Sequence, residues 1–139
     1  MPDIRAELSQ KNKWWIPKHA FYTAYHYALQ YDDWKREYAS LDGGVGAVKM
    51  DGMPHSTDVG DPTPNIGIRR AELADKMRLI EDTVKEVDAI LYPWLIVAVT
   101  KEDINYNYLQ TMMRIPCGKN MYYNKRRQFY YILSKRMGG

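Results

Sequence analysis

Residues 115–137, IPCGKNMYYNKRRQFYYILSKRM, gather the side chains with the most obvious chemistry in the chain. Lys119, Lys125, Arg126, Arg127, Lys135 and Arg136 supply cations, and Asn120 and Asn124 supply carboxamides. Tyr122, Tyr123, Phe129, Tyr130 and Tyr131 interleave rings among them, and no acid interrupts the run. Such groups hydrogen-bond anionic oxygens and flat polar edges, so the composition suits a polyanion. The charge distribution agrees. Residues 1–50 hold seven Lys/Arg against six acids, residues 51–113 six against eleven, and residues 114–139 seven against none. A net charge of +3 therefore hides a basic end on an acidic body. The plainer reading, a solvated basic tail, leaves the rings unexplained.

A helix from about Gly118 to Met137 would sort these side chains by face. Advancing 100° per residue, Met121, Tyr122, Phe129, Ile132 and Leu133 fall on one side, which is the expected core face. Lys119, Asn120, Tyr123, Asn124, Arg127, Tyr130 and Tyr131 fall opposite. Arg126 lies on the border, and Lys125 lies near the core side, where its stem can rest on apolar surface with the ammonium in water. Upstream, INYNYLQTMMR reads as another helix with Ile104, Tyr108 and Met112 on one face, and IPCG breaks it. Two helices joined by a three-to-four-residue turn, the second basic, predict a helix-turn-helix over about 104–137. Lys119, Asn120, Tyr123, Asn124 and Arg127 would then face a DNA major groove, with Arg114 and Arg126 on phosphate.

The rest of the chain reads as the scaffold for that end. Pro17 opens a helix over roughly 17–39, with Phe21, Tyr25, Ala28, Tyr31, Trp34 and Tyr38 as its apolar stripe. Trp14, Trp15, Tyr22, His26 and Tyr27 lie off the stripe, so this helix either packs on the C-terminal bundle, the favoured reading, or shows a patch to a partner. LDGGVGAVKMDGMPHSTDVGDPTPN lacks any period and predicts a loop or linker. Leu73, Met77, Ile80, Val84, Val87 and Leu91 then step by four and three, which is a helical seam. A core-facing helix suits it better than a coiled coil, given fewer than three heptads. Pro93 ends that helix or starts the next, and WLIVAVT, with no second strand to pair it, predicts a short buried helix. The expected fold is all-α: an N-terminal aromatic helical arm over 1–40, a Gly/Pro-rich linker over 41–65, and a helical bundle over 66–139 ending in the helix-turn-helix.

IPCGKNMYYNKRRQFYYIL resembles the C-terminal helix-turn-helix of the RinA/ArpU-type late transcription regulators of phages and mobile elements, whose DNA-binding part is similar to region 4 of sigma-70 factors. The likeness runs upstream through YNYLQT, ILYPWLIVAVT, IRRAEL, DPT and PKHAFYTAYHYALQYDDWK, and their order and spacing carry it rather than any one motif. Family sequences often place Ser where this chain has Gly118 and Thr where it has Met121. Without those hydroxyls, first-turn contacts would fall to backbone amides, Lys119 and Asn120. The resemblance implies double-stranded DNA binding near promoters as a transcription regulator, and it allows contact with RNA polymerase. Two rivals stand beside it: a DNA-packaging recognition subunit of the small-terminase kind, and a protein-interaction module that binds polymerase or a host factor without DNA. A homodimer is left open.

Other signals are weaker. GGVGAVK misses the spacing of a phosphate loop. His19, His26, His55 and Cys117 lack paired metal-ligand spacing, and Cys117 reads as a turn residue. No carboxylate pair suggests acid–base catalysis. The chain is therefore expected to be no enzyme and to need no metal or cofactor. The longest apolar run, AILYPWLIVAV, falls short of the ~18–20 residues of a membrane span. MPDIRAELSQ lacks a signal layout, so a cytoplasmic location is expected.

Overall fold

Proline placement sets three of the helix boundaries. Pro17 is the N-cap of α1 (Lys18–Leu29), Pro93 sits in the first positions of α4 (Tyr92–Thr100), and Pro116 lies in the turn between α5 (Tyr106–Met113) and α6 (Lys119–Arg136). Each use follows from the fixed φ and missing N–H of proline, which the first turn of a helix tolerates and its interior does not. Completing the set are α2 (Tyr31–Asp51) and α3 (Thr63–Val87). The computed structural model describes Ile4, residues 11–51 and residues 63–138, with side chains for Ile4, 11–41 and 65–138. Among them there is no strand, and the fold is all-α as expected. None of these helices is long and apolar enough to cross a membrane.

The chain divides into two units, one of residues 1–30 and 79–139, the other of residues 31–78. This division differs from the expected boundaries at 40 and 65. In the first unit α1 packs on α6 and on α4, as the favoured reading of the aromatic helix had it, and α4 packs on α5. Phe21 meets Tyr130 edge-on with centroids 5.0 Å apart, and Tyr25 lies 6.0 Å from the same ring. Trp14 reaches Tyr131 at 5.4 Å. Ile80, Val84 and Val87 of α3, Leu91, Leu95, Ala98 and Val99, Leu109, and Tyr122, Phe129 and Leu133 of α6 are all buried. At roughly 25 cal/mol per Å² of apolar surface, these aromatic and aliphatic contacts are the main source of the unit's stability.

In the second unit Trp34 and Leu73 are buried, and Arg69 clamps Glu37 with two bonds (Nε to Oε2 2.7 Å, Nη2 to Oε1 2.8 Å). That hydrogen bond, aided by the charge of Arg69, holds the Glu37 carboxyl below its ordinary value. Arg70 stacks over Tyr38 at 4.4 Å.

Two expectations need correction. The helix predicted over 17–39 is two, because the chain turns at Gln30, whose N–H bonds the Tyr27 carbonyl at 3.1 Å. Nothing in the residue types there announces the break. The loop predicted from Leu41 is still helix as far as Asp51; glycines weaken a helix by only about 1 kcal/mol each, and no proline intervenes before Pro54. The rest of that predicted linker, apart from the first turn of α3, lies outside the described residues, as does His55. On α5 the face that carries Tyr108 and Met112 is open, at 41% and 68% exposure, while Leu109 is the buried residue. One short helix held mainly through Leu109 does not bury a whole stripe.

Candidate functional site

Helix α5 begins with an Asn105 cap whose Oδ1 accepts the Tyr108 N–H at 2.9 Å, the usual use of Asn at that position. It ends at Arg114, whose φ of 55° and ψ of 51° are left-handed, after which the Ile115 N–H returns to the Leu109 carbonyl at 3.0 Å. Two side chains hold the ends of this turn. Trp94 Nε1 donates to the Met113 carbonyl at 2.8 Å, and the Tyr106 hydroxyl donates to the Cys117 carbonyl at 2.8 Å. The connection from Arg114 to Gly118 is five residues, longer than the expected three or four. Gly118 caps α6 in an extended conformation with no side-chain acceptor for the first amides of the helix.

The first turns of α6 expose Lys119, Asn120 and Asn124, with Tyr123 and Arg127 half-buried beside them and Arg114 exposed in the preceding turn. These six of the seven residues named from the sequence remain at the surface. Arg126 does not. It is 2% exposed, its guanidinium donating to the hydroxyls of Tyr122 (3.1 Å) and Tyr130 (2.6 Å) and lying 5.8 and 5.5 Å from their ring centroids. Rings one turn before and one turn after it enclose the cation, which removes Arg126 from any phosphate contact. Tyr130, expected outside, is 1% exposed because α1 covers that side of α6, and Met121, expected inside, is 46% exposed.

Folding also engages other cations of the acid-free tail. Lys125 Nζ lies 3.3 Å from Asp88 Oδ2, and Arg136 pairs with Glu86 and donates to Thr83 Oγ1 at 2.8 Å. Lys135 sits over Tyr131 at 5.2 Å. Asp88 is the hub of this contact, since its Oδ1 also accepts the N–H groups of Ile90 (3.0 Å) and Leu91 (2.9 Å). Burial works to raise its carboxyl pKa, but the Leu91 N–H, Lys125 and the Ile90 N–H outweigh it and hold it below the ordinary value. Burial, helped by the Asp88 charge, pushes the Cys117 thiol up, against the nearby Lys125, so it stays a poor source of thiolate.

Between the first turns of α5 and α6 lies a cleft of about 320 Å³ lined by Asn105, Tyr106, Asn107, Gln110, Lys119 and Tyr123. Periodicity located Lys119 and Tyr123 but missed the α5 contributors, because they face polar space and leave no apolar signature. Among the described residues no three His, Cys, Asp or Glu side chains gather closely enough to hold a metal. No protein-family model, curated protein or solved structure matches the chain.

Proposed function

We propose that α5, the 114–118 turn and α6 form a helix-turn-helix that binds duplex DNA, with the first turns of α6 in the major groove, as in a transcription regulator. One observation carries this reading: Lys119, Asn120 and Asn124 stand exposed, and Tyr123 and Arg127 partly so, at the start of a helix in a stretch without acids. Carboxamides and cations at the leading end of such a helix are the groups that read base edges, and Arg114 in the turn can meet phosphate. The resemblance to RinA/ArpU-type regulators points the same way. Polarisation titration of the full chain against labelled duplex, repeated across salt concentrations, tests it. Affinity should fall as salt rises, and Arg127→Ala should cost about 1–3 kcal/mol if that side chain reads a base. Absent binding, or affinity indifferent to salt, overturns it.

A second reading, a protein-interaction module, is favoured by the exposure of Tyr108, Met112 and Met121. It expects a partner lost on Met112→Lys and unaffected by Arg127→Ala.

A further inference from the structure

The cleft between α5 and α6 has a lining that duplex binding does not use in full. Asn107 and Gln110 stand three residues apart on α5, hence on one face of the helix. Both are exposed, and neither carboxamide has a hydrogen bond among the described residues. Across the cleft Lys119, exposed and without an ion pair among those residues, faces them from α6, with the Tyr123 ring one turn further on. Tyr106 forms a fixed wall, since its hydroxyl is committed to the Cys117 carbonyl and its ring lies 5.5 Å from that of Tyr122. Asn105 keeps only its amide NH₂ available, its Oδ1 being engaged with Tyr108.

Each part has a matching chemistry. A carboxamide offers a donor beside an acceptor, the complement of adenine at N6 and N7. Phenol rings give a base a stacking surface. An ammonium in a lining without carboxylates calls for an anion rather than a neutral sugar. The volume of about 320 Å³ stands at the small end of the range for small-ligand sites, about 300–1,000 Å³. We propose that this cleft binds a single adenine nucleotide, the base against Asn107, Gln110 and Tyr123 and the phosphate on Lys119. The nucleotide is either free or an unpaired residue of a strand. The site goes beyond the duplex reading and does not require it, although Lys119 and Tyr123 belong to both.

Calorimetric titration of the full chain with AMP, adenosine, GMP and CMP tests the proposal. AMP should bind saturably at one site, and GMP, CMP and adenosine at least about tenfold more weakly. Asn107→Ala and Gln110→Ala, both at exposed positions, should each weaken AMP binding severalfold and leave duplex binding intact. Arg127→Ala should do the reverse, so failure of one site is told apart from failure of the other. Competition separates the sources: displacement of AMP by single-stranded oligodeoxyadenylate but not by oligodeoxycytidylate of the same length marks a strand-borne nucleotide, and no displacement by either marks a free one. No heat with any nucleotide, equal affinity for AMP, GMP and CMP, or AMP binding unchanged in both α5 variants overturns the proposal.

Discussion

Arg126 is the residue whose surroundings most change its meaning. A guanidinium between two tyrosines, donating to both hydroxyls, is a structural cross-brace along α6. Truncation would take a charged donor from two buried phenols and leave a void, so Arg126→Ala should destabilise the protein by about 2–5 kcal/mol. Chemical denaturation measures this, and a loss within a few tenths of a kcal/mol would contradict the brace. Arg114 is the opposite case. Its left-handed backbone costs a β-carbon-bearing residue roughly 1 kcal/mol, which glycine avoids. Arg114→Gly should therefore raise stability by about 0.5–1 kcal/mol while weakening duplex binding. Equal or lower stability in the variant would show that the arginine side chain holds the turn. From spacing alone, Arg126 lies on the border of the polar face and Arg127 within it, and both are expected to reach DNA. The difference between them lies in which neighbours close over α6, and that depends on α1, some hundred residues away.

At the scale of elements, Asp88 fastens the α3–α4 turn to the middle of α6 through Ile90, Leu91 and Lys125. Its carboxyl pKa is depressed in the folded protein, so the unfolded chain takes up the proton first as acid is added. The stability from Asp88 is thus present above the ordinary carboxylate pKa of about 3.9 and is lost as pH falls through the lower folded value. Asp88→Asn should lower the melting temperature at pH 7 and make melting less steeply dependent on pH below about 4. An unchanged acid limb in thermal melts would remove Asp88 from that role. Helix existence was legible wherever a period or a proline marked it: Pro17, Pro93, the Leu73–Val87 seam and the start of α6 all lie where residue types put them. The break at Gln30 and the exposed face of α5 were not, because each depends on what a helix packs against rather than on its own pattern.

For the whole molecule, the count of seven cations against no acids in residues 114–139 overstates the charge offered to a partner. Arg126 is enclosed, and Lys125 and Arg136 are paired with Asp88 and Glu86. If Arg114, Lys119 and Arg127 alone meet phosphates, log affinity for duplex should fall against log salt with a slope of about −3, whereas seven contacts would give about −6. Titrations between 50 and 300 mM salt separate the two values, and the steeper one would mean that the internal pairs open on binding. The sequence charge map is blind to this, since Asp88 and Glu86 are remote in the chain from the cations they meet. The same remoteness shapes biosynthesis. Phe21 and Tyr25 find their cover in Tyr130, which leaves the ribosome roughly 5–20 s later at ordinary elongation rates. Throughout that interval the nascent chain lacks the cover that α6 gives to this aromatic strip, so newly made protein should depend on chaperones until its last helix emerges.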